Sequence, residues 1–286
     1  MSSAGLSRDT SRGPSASNAA TRSEGRVDQA PHGRRFLDVR DVCKYYGAIR
    51  AVDGVSFSVG PGEIVGVIGP NGSGKTTLFN SILGQIKPSS GAVEFCGEDI
   101  TGMSPLELAR RGVGRTFQTL QVFTQLSVRD NLIAAAQEFR GSMPGRLFGK
   151  PDAGLGAQAD AMIELFRLTH VAHLPAGRLS YGQQKLVELA QVLMLDPKLI
   201  LLDEPAGGIN PTLIERLVEK IRELNAMGKT FLIVEHNMPF VLGLCDPVHV
   251  LGRGRTMASG TPEQIRTDPA VIDAYLGDDF VVEEAQ

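Results

Sequence analysis

The segment of the chain with the most evident chemistry is a glycine-rich run, GPNGSGKTT, at residues 69–77. Its spacing matches G-x-x-x-x-G-K-[ST], in which a curled backbone points N–H groups at phosphates and the next helix N-terminus adds partial positive charge. In this pattern Lys75 reaches the β- and γ-phosphates, Thr76 binds Mg²⁺ through its hydroxyl, and Thr77 can reach the α-phosphate. The alternative is a purely structural glycine turn. The motif predicts a phosphate site made of Gly69, Pro70, Asn71, Gly72, Ser73, Gly74, Lys75, Thr76 and Thr77.

Two carboxylates follow an apolar run in KLILLDE, at residues 198–204. Asp203 is predicted to end a strand, where its carboxylate can hold the coordination shell of Mg²⁺. Glu204 follows directly, and a carboxylate there can polarise an attacking water as a general base. The alternative is a strand end with two solvated acids. Together with the phosphate motif, the pair favours the cleavage of a nucleoside triphosphate.

These side chains must be positioned by strands that alternate with helices. Continuous apolar runs, typical of strands covered on both faces, occur at residues 63–69, 199–203, 230–234 and 249–251. Alternating apolar and polar residues predict half-buried strands at 36–43 and 55–59, and helices are predicted at 75–84 and 211–225. This order predicts a mostly parallel α/β sheet.

The rest of the chain divides by composition. Residues 1–35 are rich in Ser, Ala, Arg and Gly, so they are predicted to form a disordered tail, and residues 281–286 a short C-terminal tail. Residues 36–280 form the predicted domain, and residues 119–191 within it are largely helical. A Gly/Pro-rich stretch at 141–156 is predicted to be a flexible surface loop.

Composition and charge exclude several classes of protein. The chain has 286 residues, of which 42% are hydrophobic and 21% charged, as in ordinary globular proteins. The net charge is −3, and six Arg against three acids give the first 35 residues +3, so the remainder carries −6. A net negative charge on the predicted folded part of the chain is a poor match for non-specific binding of nucleic acid, which needs a positively charged surface. No apolar run approaches the ~18 residues of a membrane span. Three widely spaced cysteines make a disulfide scaffold or zinc site unexpected and favour a reducing, cytosolic compartment.

With LSYGQQK at residues 179–185, these motifs resemble the ATP-binding subunits of ABC transporters, over residues 36–280. The family's signature is LSGGQ, and Tyr181 replaces its first glycine. The resemblance implies that Ser180, Gly182 and Gln183 contact the γ-phosphate of a nucleotide held by the opposite subunit. Ser180 is also a residue type that caps helices, and that purely structural role is the alternative.

Individual residues outside these motifs also resemble functional positions of the family. Tyr46 resembles the aromatic residue that stacks on adenine, the alternative being a buried strand aromatic. Gln118, in RTFQ, resembles the glutamine that senses Mg²⁺, and His236, in IVEHN, resembles the switch histidine that contacts the γ-phosphate. A structural histidine is the alternative for His236. The loop at 204–210 ends in Asn210 where the family usually has Asp, which removes a charge from the subunit interface.

The resemblance implies a P-loop NTPase fold with a RecA-like core, an antiparallel β subdomain and an inserted α-helical subdomain at about 119–191. It implies an ATPase that uses ATP and Mg²⁺, with Glu204 and His236 as catalytic residues. The residues implied to hold the metal ion are Thr76, Gln118 and Asp203. A P-loop kinase would give no reason for LSYGQ or for His236.

The resemblance also implies partners at the cytoplasmic face of the cell membrane. These are two membrane-embedded permease subunits, a second ATP-binding subunit, identical or paralogous, and indirectly an extracytoplasmic substrate-binding protein. Val122, Phe123 and Leu126 are candidates for seating a permease helix, with core packing as the alternative. RTFQ, YGQQ, Asn210 and the ending at 260–277 are similar to the branch that takes up branched-chain amino acids. Lipopolysaccharide-type export and a non-transport ABC ATPase are the alternatives.

Overall fold

The computed structural model describes residues 36–116, 121–137 and 153–276. The predicted tails at 1–35 and 281–286, residues 141–152 of the predicted loop, and Gln118 lie outside these ranges. Residues 33–286 form one of the two compact units of the chain, and every element below belongs to it.

The bounds of the regular elements follow the predicted strand–helix alternation. The strands are β1 (Leu37–Tyr46), β2 (Ile49–Val59), β3 (Ile64–Ile68), β4 (Ser90–Phe95), β5 (Glu98–Asp99), β6 (Val113–Arg115), β7 (Leu199–Asp203), β8 (Thr230–Val234), β9 (Val248–Gly252) and β10 (Arg255–Gly260). The helices are α1 (Lys75–Ile82), α2 (Pro105–Arg110), α3 (Val128–Gln137), α4 (Ala153–Leu165), α5 (Tyr181–Leu193), α6 (Pro211–Ala226), α7 (Met238–Leu244), α8 (Pro262–Thr267) and α9 (Pro269–Leu276). Short 3-10 turns lie at Thr169–Val171 and Ala176–Arg178.

The larger sheet positions the predicted site. Its strand order is β10-β9-β3-β8-β7-β6, and all neighbouring pairs are parallel except β10 with β9. Val234 pairs with Val67 of β3 on one side and with Asp203 of β7 on the other. The carboxyl ends of β3, β7 and β8 therefore lie side by side, which is the edge where open parallel sheets bind ligands. The predicted mostly parallel α/β sheet is confirmed.

Both faces of this sheet are buried, and alternate residues of each strand point to opposite faces. Leu199, Leu201 and Leu232 belong to a core shared with α1 and a second, antiparallel sheet of order β2-β1-β4-β5. Ile200 and Ile233 belong to the core on the opposite face, which includes α5 and α6. Each fully buried aliphatic side chain contributes about 1.5–3 kcal/mol relative to exposure. This burial fixes the strand ends that carry the site.

The helix that follows the Gly/Pro-rich stretch begins earlier than the sequence predicts. The predicted flexible loop at 141–156 is wrong for residues 153–156, because α4 starts at Ala153. Leu155, Ala159 and Ile163 recur at four-residue spacing and are buried in the core. Their packing outweighs the low helix propensity of Gly154 and Gly156, which costs about 1 kcal/mol per residue. None of the helices that the structure describes combines the length and apolar character needed to span a bilayer.

Candidate active site

The loop at residues 69–74 joins β3 to α1, the setting that the phosphate motif requires. Two glycines are demanded by close approach of the neighbouring backbone. Gly69 has φ +153°, and an added Cβ would lie 2.2 Å from the carbonyl oxygen of Leu251. Gly74 has φ +101°, and an added Cβ would lie 2.2 Å from the carbonyl oxygen of Ala51. The loop therefore lies tightly packed between the backbones of β2 and β9.

Gly74→Ala is expected to lower the free energy of unfolding of the nucleotide-free protein by about 1–3 kcal/mol, since the side chain meets backbone at a strained φ. Thermal unfolding without nucleotide measures this. Gly72→Ala is the matched control, because Gly72 also has positive φ but no atom within 4 Å of an added Cβ. Equal melting temperatures for the two variants would contradict the bracing of the loop by β2.

Lys75 is the first residue of α1 and is buried. Its Nζ donates hydrogen bonds to the carbonyl oxygens of Gly69 at 2.7 Å and Pro70 at 3.0 Å. Burial lowers the pKa of Lys75, and the nearby charges of Glu204, Glu235 and Asp203 oppose this by raising it. The ammonium group thus lies inside the loop, facing the acidic strand ends.

The remaining loop residues differ in exposure. Asn71, Gly72 and Thr76 are exposed, Pro70 and Thr77 are half-buried, and Ser73 is buried. Thr76 is thus an exposed residue at the start of α1, where a ligand for a metal ion on a bound nucleotide is expected.

Asp203 ends β7 and is only 2% exposed. Its Oδ2 lies 4.0 Å from Nη2 of Arg115 on β6, and burial raises the pKa of the carboxyl. Its Oδ1 accepts no hydrogen bond from the residues that the structure describes. A buried carboxylate oxygen without a donor, beside a phosphate loop, fits a hard divalent cation such as Mg²⁺, which prefers oxygen ligands.

Glu204 and His236 are brought together from β7 and β8. The Nδ1 of His236 lies 3.6 Å from Oε1 of Glu204. Glu204 has a left-handed backbone with φ 47°, and its N–H donates to the carbonyl oxygen of Val234 at 2.9 Å. A non-glycine residue held at positive φ costs of order 1–3 kcal/mol and is over-represented at functional sites. The side chains of both residues remain partly exposed, so a substrate can reach them.

The signature segment lies on another part of the chain. Ser180 caps α5, since its Oγ accepts from the Gln183 N–H at 3.3 Å and Gln183 Oε1 accepts from the Ser180 N–H at 3.0 Å. Among the described residues, no hydrogen bond or ion pair joins residues 180–183 to the loop at 69–77. The predicted cap is confirmed, and these residues stand apart from their own chain's phosphate loop.

Tyr181, which departs from the family signature, lies beside the loop at 204–210. An added Cβ at Gly208 would lie 3.3 Å from Cε1 of Tyr181. Asn210 ends that loop and caps α6, its side-chain oxygen accepting from the Leu213 N–H at 3.0 Å. Because Asn caps helices as well as Asp does, the uncharged residue keeps this structural role.

Tyr46 ends β1 and is 47% exposed, so the alternative of a buried strand aromatic is wrong. The Nζ of Lys44 lies 5.1 Å from its ring centroid.

Phe123 and Leu126 are also exposed, which rules out core packing for both, whereas Val122 packs against the core. The cysteines Cys43, Cys96 and Cys245 are free, and the described residues hold no His/Cys/Asp/Glu cluster suited to a metal ion.

Sequence reasoning missed three residues around the site. Arg115 is the first residue of RTFQ, three positions before Gln118, and its guanidinium lies 4.0 Å from the carboxylate of Asp203. Glu235 follows the fully buried β8 and is itself fully buried, and its sequence signal is a carboxylate directly after an apolar run. Tyr275 of α9 is buried; burial raises the pKa of its hydroxyl, and a backbone hydrogen bond with Gly69 lowers it.

Comparison with known families agrees with this geometry. A family model described as ABC transporter matches residues 52–207. A second, described as branched-chain amino acid ATP-binding cassette transporter, matches residues 255–281. A probable branched-chain amino acid transport ATP-binding protein from Methanocaldococcus jannaschii is 39% identical over 251 residues, covering 85% of this chain and 98% of the relative. A high-affinity protein of that description from Escherichia coli K12 is 37% identical, with the same coverage.

Solved structures show the same similarity. An ATP-binding cassette of an ABC transporter in its ADP conformation has a TM-score of 0.78 and 38% identity, covering 85% of this chain and 99% of that structure. A dimeric ATP-binding cassette bound to ADP and Pi has a TM-score of 0.67 and 25% identity, covering 79% of this chain and 98% of that one. Motifs, sheet order and relatives agree, and the chain belongs to the ABC transporter family of ATP-binding proteins.

Proposed function

We propose that this chain is the ATP-hydrolysing subunit of an importer for branched-chain or similar amino acids. The observation that carries the proposal is the convergence of Lys75, Asp203, Glu204 and His236 at one edge of the parallel sheet. The substrate class is supported by the relatives' names and by the match over residues 255–281.

The phosphates of ATP are held by this chain's own loop. Backbone N–H groups of Asn71, Gly72 and Gly74 and the N-terminus of α1 face the triphosphate, and Lys75 exchanges its carbonyl partners for phosphate oxygens. Tyr46, exposed at the end of β1, offers an aromatic face for adenine. Mg²⁺ would be held by Asp203 and the Thr76 hydroxyl, with Gln118 as the further candidate, and would neutralise phosphate charge.

Cleavage is assigned to the pair at the ends of β7 and β8. Glu204 accepts a proton from the attacking water, so that the oxygen can bond to the γ-phosphorus while the bond to the β-phosphate oxygen breaks. His236, whose Nδ1 lies 3.6 Å from Oε1 of Glu204, donates a hydrogen bond to the γ-phosphate in this proposal. The positive φ of Glu204 fixes the direction in which its carboxylate leaves the strand.

A second ATP-binding subunit completes the site. Ser180, Gly182 and Gln183 lie at the N-terminus of α5, a 13-residue helix whose first N–H groups suit an anion. In the proposed assembly they meet the γ-phosphate held by the other subunit, and release of the phosphate after cleavage removes the charge that both faces need. The dimeric relative bound to ADP and Pi supports this arrangement.

Docking on permease subunits at the cytoplasmic face of the membrane is supported by Phe123, which is 58% exposed, and Leu126 beside it. Phe123→Asp is expected to abolish co-purification with the permeases, because it places a charge in an apolar contact, and to leave the ATPase activity of the isolated chain within about twofold. Thr169→Asp, also exposed but outside this patch, is the control. Full retention of the permeases by Phe123→Asp would remove this surface from the docking site.

The transport proposal is tested by reconstitution of the full chain with its permeases and binding protein in vesicles. ATP-dependent uptake of leucine, isoleucine or valine is the expected result. ATP hydrolysis that no branched-chain amino acid stimulates, with stimulation by another substrate, would refute the substrate class and leave the ATPase assignment standing.

A further inference from the structure

Glu235 is a buried carboxylate with no solvent exposure at the end of β8. Its Oε1 accepts a hydrogen bond from the backbone N–H of Ala206 at 2.7 Å. Its Oε2 accepts from the N–H groups of His236 at 2.9 Å and Asn237 at 3.1 Å. One side chain therefore joins the loop that follows Glu204 to the segment that carries His236.

The third connection of Glu235 is through its backbone. Its N–H donates to the carbonyl oxygen of Val67 at 3.1 Å, and Val67 lies two residues before the phosphate loop. The backbone of residue 235 is thus fixed by the central strand, while its carboxylate fixes two loops. The lengths of these bonds are those of normal to strong charge-assisted hydrogen bonds.

Burial of a carboxylate is costly, and the arrangement shows what offsets the cost. Removing a charge from water is unfavourable even after the surroundings relax. Three backbone donors satisfy the carboxylate, and His236 Nδ1 lies a further 3.7 Å from Oε2. A shorter neutral residue would have left the strand pairing of β8 intact, so the strand alone does not require Glu235.

We infer that Glu235 is a positioning residue, which holds His236 and the loop at 204–210 in one fixed relation so that the two move as a unit when nucleotide binds. This rests on the proposed function, in which Glu204 and His236 act on ATP. The same loop carries Gly208, where an added Cβ would lie 3.3 Å from Cε1 of Tyr181 in the signature segment. Glu235 thereby connects the γ-phosphate side of the site with the segment that faces the second subunit.

The test is Glu235→Gln in the full chain. Gln keeps the size of the side chain, but its amide nitrogen is a donor and must face either Ala206 or the His236–Asn237 pair, which are donors too. The kcat of ATP hydrolysis is expected to fall on the order of 10²-fold, the effect of about 1 Å of misplacement, with the KM for ATP within about twofold. The split arises because Lys75 is held by the carbonyl oxygens of Gly69 and Pro70, and the substitution removes neither of these hydrogen bonds.

Thr230→Val is the matched control for a purely structural role. Thr230 is a buried residue at the other end of β8, and its Oγ1 accepts from the N–H of Gly62 at 2.9 Å. The substitution removes a buried hydroxyl of β8 that accepts a hydrogen bond from a backbone N–H. This hydroxyl is at the end of the strand away from the two loops that Glu235 joins. The inference would be overturned if Glu235→Gln and Thr230→Val lowered the melting temperature equally and also lowered kcat equally. It would also be overturned if Glu235→Gln left kcat unchanged.

Hydrogen exchange of the unsubstituted protein gives a measurement that does not depend on the variant folding. The amides of Ala206, His236 and Asn237 are expected to open with the same free energy and to slow together when a non-hydrolysable ATP analogue binds. Protection of His236 and Asn237 without Ala206 would contradict the coupling. If instead the analogue does not bind at all, the proposed function fails and not only the role of Glu235.

Discussion

Glu204→Gln is expected to lower the kcat of ATP hydrolysis by about 10²–10⁴-fold while ATP still binds. The amide has the size of the carboxylate but cannot accept the proton of the attacking water. Binding persists because the phosphate loop and Lys75 are untouched, and because Glu204 is held by its own backbone bond to Val234. Phosphate release in the steady state and binding of labelled ATP measure the two properties separately.

The control for this change is Glu219→Gln, since Glu219 lies on the exposed face of α6. It removes the same charge from the chain and is expected to leave turnover within about twofold. Normal turnover in Glu204→Gln would exclude Glu204 as the general base.

Lys75→Ala is expected to weaken ATP binding by about 10–100-fold, the equivalent of about 1.5–3 kcal/mol for a hydrogen bond to a charged group, and to abolish measurable hydrolysis. The ammonium group is already desolvated and surrounded by the loop's carbonyl oxygens, so little reorganisation is needed for it to meet phosphate. Isothermal titration with ATP in the presence and absence of Mg²⁺ gives the affinity.

Lys87→Ala provides the comparison, because Lys87 is exposed and lies outside the site. It is expected to bind ATP like the unsubstituted chain. Unchanged affinity in Lys75→Ala would count against the assignment of residues 69–77 as the phosphate loop.

The sequence was most informative about features that are formed by residues close together in the chain. The phosphate loop follows from residues 69–77 alone, since the glycines, the lysine and the next helix are consecutive. The cap at Ser180 depends on Gln183, three residues away. Buried parallel strands were also predictable because both faces of the sheet are covered, which makes β3, β7 and β8 apolar except for Asp203 and Thr230 at two strand ends.

Features that depend on distant residues could not be predicted in this way. The bond between Glu235 and Ala206 joins residues 29 positions apart, and nothing in IVEHN shows that the carboxylate turns inward. The exposure of Tyr46 follows from its place at a hairpin end. The start of α4 at Ala153 is set by tertiary packing, which a count of Gly and Pro does not capture.

The central claim is that ATP links two subunits, each contributing half of the site. Light scattering of full-length Glu204→Gln, alone and mixed with the companion ATP-binding subunit, tests it most directly. With ATP and Mg²⁺ the mass is expected to rise to that of a dimer, and with ADP to remain that of a monomer. A strictly monomeric protein under both conditions, with nucleotide bound and the companion present, would contradict the account.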